Sequence, residues 1–329
     1  MKKVLIIGGT GNISTGITKA LSAEGYDVTL FNRNETKTSS KDYRVIQGDR
    51  HDREMFVHRL RQTHFDYAID MICFDRKDAE DDFAALYDVE HFIMCSTGAV
   101  YGVLPPHYTP IPEDAPRNPS WSYGIGKKNA EDFFLEKFSD CRFPVTIIRP
   151  TFTYGRQKLF FRQFLSDNSW IDRIKKGKPI LTGNPYLLRN FLHVDDAAAA
   201  FTGALGNPKC LGQAYNMVGL RPHSWQEFHL AMMHAVGREV EMIEAPYSLL
   251  ASYHLPNFES YRENWRYNGF YCGDKIARDI PSFHVSVSLE EGIRRTLAFL
   301  EDGDHIPNSD LPEYAWEDEI IHRLNSIHM

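Results

Sequence analysis

The stretch VLIIGGTGNISTG, Val4 to Gly16, decides the fold. Four apolar residues followed by Gly8, Gly9 and Gly11 are typical of a strand that turns sharply into a helix. Such a turn presents backbone N–H groups and the positive end of a helix dipole, which suit a pyrophosphate. The third glycine of the pattern, three residues after Gly11, is replaced here by Ser14. The segment therefore predicts a dinucleotide-binding turn with one altered position.

Composition narrows the class of protein. The 329 residues carry a net charge of −7, which argues against a protein whose affinity comes from neutralising nucleic-acid phosphates. The five cysteines are scattered without CxxC or metal-ligand spacing, which favours a reduced, cytoplasmic chain without a metal. The first apolar run is too short for a signal peptide, and no stretch approaches a membrane span. We therefore expect a cytoplasmic protein that does not enter membranes.

Short β-branched runs alternate with amphipathic stretches through the first half of the chain, which predicts a parallel sheet with helices on both faces. The predicted strands are Lys3–Gly8, Asp27–Asn32, Tyr43–Gln47, Tyr67–Ile72, His91–Cys95 and Pro144–Arg149. The predicted helices lie at about 13–24, 52–62, 77–87 and 121–139. The second half is mixed, with strands near 214–218 and 240–243 and helices at about 160–176, 224–236, 289–300 and 317–324.

The end of the second predicted strand, FNRN, bears on the choice of cofactor. An acidic residue there would accept a hydrogen bond from the ribose 2′-hydroxyl of NAD. The chain instead has Asn32 and then Arg33, whose guanidinium suits the 2′-phosphate of NADP. We expect NAD or NADP with a lean to NADP, and an ordinary surface arginine is the alternative.

A tyrosine and a lysine stand four residues apart in SYGIGKKNAEDFF, downstream of the loop STGAVYG. Tyr123 and Lys127 share one face of a predicted helix. An ammonium beside a phenol favours the phenolate, so Tyr123 is a candidate proton-transfer group for a carbinol or ketone. Thr97 is predicted to hydrogen-bond the same oxygen. The spacing alone is common, but its place after the glycine turn makes it specific.

Seven motifs occur in one order: GGTGNIS, GDRHD, STGAVYG, YGIGK, RPTFTYG, RNFLHVDD and LEEGIRRTLAFL. With them, about residues 1–301 resemble the extended short-chain dehydrogenase/reductase superfamily and, within it, the NAD-dependent epimerase/dehydratase family. The resemblance implies an α/β fold: a Rossmann-type doubly wound parallel sheet of order 3-2-1-4-5-6, with a smaller mixed α/β substrate domain. We expect the dinucleotide-binding domain at 1–155 with a return segment at about 187–219. The smaller domain and the tail are expected mainly at 156–329.

The resemblance also implies roles for individual residues. Thr97, Tyr123 and Lys127 match the catalytic hydroxyl, the catalytic tyrosine and the lysine that also holds the nicotinamide ribose. Besides that tyrosine and lysine, the positions matched to cofactor binding are Gly8, Gly11, Asn12, Ile13, Pro150 and the adenine-contacting pair Asp49 and Arg50. The implied activity is NAD(P)-dependent epimerisation or dehydration of a sugar or nucleotide-sugar.

Three places bear on the substrate. The segment Asp70–Cys73 replaces the usual His-x-Ala-Ala or His-x-Ala-Gly beside the nicotinamide half of the cofactor. Phe152 stands where the pattern has an asparagine that meets a substrate diphosphate. Arg189 matches an arginine that often grips substrate phosphates, and a buried arginine paired with Asp195 or Asp196 is the alternative. Phe152 and Arg189 are therefore the candidate substrate-binding residues.

A narrower resemblance supplies alternatives. GDRHD, DMICFD and PEYAWEDEIIHRL look like a sub-branch that includes the chloroplast stem-loop RNA-binding proteins, so RNA binding on the same fold is one alternative. A simple NADPH-dependent carbonyl reductase and a cofactor sensor without catalysis are others.

The family commonly dimerises through the helices near 77–87 and 121–139, which predicts a homodimer. Phe133 and Phe134 are adjacent, so one of them is expected to meet a partner subunit. The aromatic stretch Glu244–Asp274 favours packing over a substrate lid, with a strand at Tyr267–Asp274.

Overall fold

The computed structural model describes residues 1–33 and 43–327. In chain order, the strands are β1 (Lys3–Ile7), β2 (Asp27–Asn32), β3 (Arg44–Gln47), β4 (Tyr67–Asp70), β5 (His91–Cys95), β6 (Val145–Pro150), β7 (Phe152–Tyr154), β8 (Phe161–Arg162), β9 (Leu165–Ser166), β10 (Ile180–Thr182), β11 (Leu188–His193), β12 (Gln213–Met217), β13 (Pro222–Ser224) and β14 (Met242–Glu244).

The helices follow the same numbering. They are α1 (Ser14–Ala23), α2 (Arg53–Arg61), α3 (Arg76–Ala85), α4 (Ser122–Cys141), α5 (Ser169–Lys176), α6 (Val194–Ala204), α7 (Trp225–Val236), α8 (Tyr247–Ser252), α9 (Asp274–Asp279), α10 (Leu289–Asp302) and α11 (Ala315–Ile327). Among the described residues, no helix is both long enough and apolar enough to cross a membrane. Two compact units divide the chain: the first comprises Met1–Thr153, Val194–Val218 and Tyr271–Ser286, and the second comprises Tyr154–His193, Gly219–Phe270 and the chain from Val287 onward.

Seven parallel strands form the sheet of the first unit within the described ranges, in the order β3-β2-β1-β4-β5-β6-β12. The predicted α/β fold with strand order 3-2-1-4-5-6 is confirmed, and β12 pairs with β6 to extend it. β5 and β6 are buried along their whole length, which explains their continuous apolar runs. Since all strands run the same way, the glycine turn and the residues after β4, β5 and β6 meet at one edge of the sheet.

Phe133 and Phe134 are both buried within the chain, so the expectation that one of them meets a partner subunit is wrong. The ring of Phe134 packs against Phe92 of β5, with centroids 4.9 Å apart. The ring of Phe133 packs against Phe83 of α3 at 6.0 Å. Adjacent residues of α4 can both be buried because the sheet and α3 cover different sides of it. The homodimer stays a prediction from the resemblance.

The second unit departs from the predicted helix over 160–176. The chain first forms the hairpin of β8 and β9, and α5 begins only at Ser169. Arg162, on β8, is fully buried and donates to both carboxylate oxygens of Glu317 on α11 at 2.7 and 2.9 Å. Asn168 accepts from the Phe160 N–H at 2.6 Å. These tertiary contacts outweigh the helical pattern of the sequence.

The predicted strand at Tyr267–Asp274 is also wrong. The segment forms only isolated β-bridges, at Gly269 and at Tyr271, and α9 begins at Asp274. Earlier in the aromatic stretch, the ring of Trp265 lies 6.1 Å from that of Phe161 in the second unit. This contact agrees with the packing role expected of the stretch.

His91 makes two hydrogen bonds in the core of the first unit that fix its tautomer. Its Nδ1 accepts from the Gly206 N–H at 2.9 Å, so the ring proton sits on Nε2, which donates to Thr146 Oγ1 at 2.8 Å. That hydroxyl in turn donates to the Cys210 carbonyl at 2.6 Å. Burial lowers the pKa of His91 from an ordinary 6.5 to about 4.

The free energy of unfolding should depend on pH through the protonation of His91. Between pH 6.5 and 4 the unfolded chain takes up a proton on His91 that the folded chain refuses, so the free energy of unfolding falls as the pH falls. The contribution is about 2 kcal/mol between about pH 6.5 and 4.5. Urea unfolding across this window should show a shallower fall for His91→Gln than for the parent. His58→Gln, at an exposed position of α2, should keep the parent slope; equal slopes in all three proteins would contradict the assignment.

Candidate active site

The glycine turn after β1 is packed tightly against neighbouring side chains. Gly8 has a φ of +79°, which favours glycine, and a Cβ there would lie 2.8 Å from Ile72 Cγ2. A Cβ on Gly9 would lie 2.6 Å from Leu30 Cδ2. Gly11, by contrast, is exposed. Gly8 and Gly9 therefore serve the packing of the turn.

Ser14 brings a hydroxyl to the place of the missing glycine. Its Oγ donates to the Gly8 carbonyl at 2.7 Å and accepts from the Gly11 N–H at 2.8 Å, which closes the turn upon itself. Asn12 and Ile13 are half-buried at the entrance of α1, and Ile13 is its N-cap residue. Ser14 thus holds the loop in shape as well as packing beneath it.

A cleft of about 420 Å³ opens beside this turn. It is lined by Gly8, Thr10, Gly11, Phe31, Asn32, Arg33, Gly48, Asp49, Arg50, His51, Ile72 and Phe74. The structure thus brings most of the predicted cofactor residues to one place. Arg33 is exposed and Asn32 half-buried at the end of β2. A glycine cradle at a helix N-terminus, with a cationic side chain nearby, fits the adenosine and pyrophosphate half of a dinucleotide.

The guanidinium of Arg50 lies buried beneath the cleft among three carboxylates. Its Nη1 is 2.5 Å from Asp70, its Nη2 3.2 Å from Asp82 and its Nε 3.4 Å from Asp78. Burial raises the pKa of Asp82 well above its ordinary value. The side chain of Arg50 therefore serves the fold, and the adenine contact implied for Asp49 and Arg50 stays a prediction.

Asp70, Cys73 and Asp82 bring three potential metal-ligand atoms within 4.8 Å of one another. Both carboxylates already pair with the guanidinium of Arg50, whose charge opposes a second cation. Burial also raises the pKa of the Cys73 thiol well above its ordinary value, which keeps the thiol protonated. The donor set therefore suits an arginine better than a metal ion, and the metal-free site stays a prediction.

Thr97, Tyr123 and Lys127 belong to the segments where β5 ends and α4 begins. Thr97 Oγ1 caps the short helical turn Gly98–Tyr101. Lys127 is 1% exposed, and its Nζ donates to the carbonyl of Cys95, the last residue of β5, at 2.8 Å. Tyr123 is half-buried one helical turn before Lys127. The lysine thus ties the face of α4 on which it lies to the end of β5.

Two glycines of the YGIGK motif allow α4 to approach its neighbours. A Cβ on Gly124 would lie 2.6 Å from the Ala99 carbonyl oxygen. A Cβ on Gly126 would lie 2.6 Å from the Phe74 carbonyl oxygen. Larger residues at either place would push the helix away from the segments that follow β4 and β5. The glycines therefore set the position of Tyr123, which lies directly before the first of them.

A buried ion pair that the sequence analysis did not identify joins β6 to α4. The Arg149 guanidinium contacts the Glu131 carboxylate through Nε at 2.9 Å and Nη2 at 2.7 Å, and Nη1 donates to Tyr101 Oη at 2.7 Å. Glu131 also accepts from the Ser96 hydroxyl. The signal was present in the sequence: Glu131 follows Lys127 by four residues on one helix face, and Arg149 is the one charged residue of its strand. Charges in such places need partners.

The remaining predicted residues have the following places. Pro150 is buried at the end of β6, and Phe152 is half-buried at the start of β7. Arg189 is buried in the second unit and donates to the carbonyl oxygens of Asn264 and Tyr267, the latter at 2.7 Å. Its guanidinium thus holds a neighbouring backbone segment. The substrate roles of Phe152 and Arg189 stay predictions, as does the cofactor role of Pro150.

Comparisons with known sequences agree with both resemblances. The model of the NAD dependent epimerase/dehydratase family matches residues 4–217. The 2′-dehydrokanamycin reductase of Streptomyces kanamyceticus is 25% identical over 283 residues, or 85% of this chain and 80% of the relative. The chloroplast stem-loop binding protein of 41 kDa b of Arabidopsis thaliana is 30% identical over 234 residues, or 66% of this chain and 59% of the relative.

Comparison with solved structures confirms the fold. The UDP-glucuronic acid 4-epimerase of Bacillus cereus, in complex with UDP-glucuronic acid and NAD, superposes with a TM-score of 0.72. The match covers 91% of this chain and 99% of that one at 17% identity. The two chains therefore share their fold over nearly their whole lengths.

Removal of the Ser14 hydroxyl should destabilise the turn. Ser14→Ala deprives the Gly8 carbonyl and the Gly11 N–H of their partner, so the free energy of unfolding should fall by about 1–3 kcal/mol. Urea unfolding measures the change. Thr15→Ala is the matched control, because it removes an exposed hydroxyl that also bonds the loop and should cost at most about 0.5 kcal/mol. Equal losses in the two variants would show that Ser14 has no special role.

Proposed function

Because the chain belongs to the NAD-dependent epimerase/dehydratase family, we propose that it moves a hydride between a nicotinamide cofactor and a sugar or nucleotide-sugar. The observation that carries the proposal is the place of Lys127. Its buried ammonium is fixed at the carboxyl end of β5, with Tyr123 one turn earlier on the same helix. That is the edge of a parallel sheet at which Rossmann-type folds bind their ligands.

The glycine turn and the cleft beside it would hold the cofactor. The N–H groups at the start of α1 would meet the pyrophosphate, with Asn12 and Ile13 at the helix entrance. Asp49 would face the adenine, and Lys127 would hold the nicotinamide ribose. When bound, the cofactor supplies the hydride acceptor or donor of the reaction.

Tyr123 is the proposed acid–base group. In the oxidation of a sugar carbinol, its phenolate would take the hydroxyl proton while the carbon loses its hydrogen as hydride; in the reverse direction, its hydroxyl would return the proton to the carbonyl oxygen. The ammonium of Lys127 would stabilise this phenolate, because opposite charges attract strongly where water is scarce. Thr97 hydrogen-bonds the same sugar oxygen and keeps it in line with the tyrosine.

A reductase acting on a keto sugar without a nucleotide is the second candidate. The relative from Streptomyces kanamyceticus, which aligns with 85% of this chain, is by name a 2′-dehydrokanamycin reductase. Phe152 supports the same reading, because an aromatic ring has no donor for a diphosphate but packs well on the face of a sugar.

Tyr123→Phe should abolish hydride transfer while cofactor binding stays intact. The assay follows the absorbance of reduced nicotinamide, with NAD⁺ or NADP⁺ and UDP-glucose in one direction and NADPH with a keto sugar in the other. We expect turnover to fall about 100-fold or more. Tyr87→Phe, which removes an exposed hydroxyl elsewhere in the same unit, should leave turnover unchanged.

Other outcomes would point elsewhere. Undiminished turnover in Tyr123→Phe would reject the proposed catalysis. Salt-dependent binding of a stem-loop RNA, equal in parent and variant and without turnover of any sugar, would support the RNA-binding alternative. Binding of NADPH without hydride exchange would identify a cofactor sensor.

We further propose that Arg33 gives the chain a preference for NADP over NAD. Arg33→Ser should weaken NADP⁺ binding about tenfold or more, because a charged hydrogen bond to the 2′-phosphate is lost, and should leave NAD⁺ binding unchanged. Isothermal titration with the two cofactors measures the difference. Arg44→Ser, at an exposed position of β3, is the control. An equal effect on both cofactors would leave Arg33 an ordinary surface arginine.

A further inference from the structure

Phe74 stands between the cleft and the helix that carries Tyr123 and Lys127. It lines the cleft and is 44% exposed. Its ring centre lies 4.7 Å from Lys127 Nζ and 6.4 Å from the ring centre of Tyr123. The face of an aromatic ring attracts an ammonium at such a distance, and more strongly when the cation is buried. Phe74 therefore contacts both members of the candidate catalytic pair.

The backbone around Phe74 is fixed from below. The Phe74 N–H donates to Asp78 Oδ2 at 2.8 Å, and the Ile72 N–H donates to Asp70 Oδ1 at 2.6 Å. Both carboxylates are in turn paired with the buried guanidinium of Arg50. The acidic network beneath the cleft thus holds the segment that carries the ring.

Lys127 is confined on two sides. Its Nζ donates one hydrogen bond to the Cys95 carbonyl, and the Phe74 ring lies against the ammonium. An ammonium has three donors, so the carbonyl and the ring fix its position and leave donors for a ligand. A flexible four-carbon side chain would otherwise lose rotamer entropy when it binds.

We propose that Phe74 is a positioning residue whose ring holds the Lys127 ammonium in place for a nicotinamide cofactor. The inference rests on the proposed function, since it takes the cleft to bind NAD or NADP. Phe74 directly follows the Asp70–Cys73 segment, where the chain departs from the pattern of the family, so the resemblance does not imply this role.

A double-mutant cycle tests the proposal. NADH dissociation constants are measured by fluorescence titration for the parent, Phe74→Leu, Lys127→Met and the double variant. Phe74→Leu should weaken binding about 3- to 20-fold in the parent, but less than about twofold when Lys127 is already replaced. Phe74→Tyr keeps the ring and should bind within about twofold of the parent.

Further measurements separate this role from a structural one. Phe138→Leu removes a ring that lies 5.4 Å from Arg142 at the far end of α4, and it should leave NADH binding unchanged. Urea unfolding without cofactor gives the free energy of unfolding of the parent, Phe74→Leu, Lys127→Met and the double variant. If the ring and the ammonium interact, the losses of the two single variants should not add up to that of the double variant.

The outcomes are distinguishable. If Phe74→Leu weakens NADH binding equally in the parent and in Lys127→Met, the inference is overturned. It is also overturned if Phe74→Tyr binds NADH as weakly as Phe74→Leu. Losses in the free energy of unfolding that are additive for Phe74→Leu and Lys127→Met would overturn it as well. Failure of the parent chain to bind NADH or NADPH would reject the proposed function, and this inference with it.

Discussion

The position of α4 depends on the buried ion pair between Arg149 and Glu131. Two charges in an interior without water are tolerated only when they meet with good geometry, and a lone buried charge costs several kcal/mol. A shift of the helix along β6 would break this pair. Lys127, one turn earlier on the same face, is then carried to the end of β5, where the Cys95 carbonyl receives it. The geometry of the candidate site follows from this register.

Buried arginine–carboxylate pairs also hold the structure beneath the cleft. Arg50 is surrounded by Asp70, Asp78 and Asp82, and these carboxylates also accept backbone N–H groups of the segment after β4. Loops that follow strands are ordinarily mobile, but here buried charge fixes one of them. The first unit thus fixes two of the segments that follow its strands by arginines buried with carboxylates.

Much of the fold could be predicted because its signals are local. Continuous apolar runs marked the strands of the parallel sheet, and spacing with order marked Thr97, Tyr123 and Lys127. The roles of other residues depend on distant partners. Arg50 meets carboxylates 20 and 32 residues away, and Arg162 meets Glu317 across 155 residues, which decides a hairpin over a helix. No window of sequence contains such pairs, so pattern alone could not assign those arginines.

The serine in the glycine turn has a consequence for how a cofactor would arrive. A loop closed by its own hydroxyl has little conformational entropy left to lose when a phosphate binds, so association need not wait for rearrangement. The same hydrogen bond occupies the Gly11 N–H, which is then no longer free to meet the phosphate. A bound phosphate would therefore lack the Gly11 N–H as a donor but would meet a glycine turn that already has its final shape.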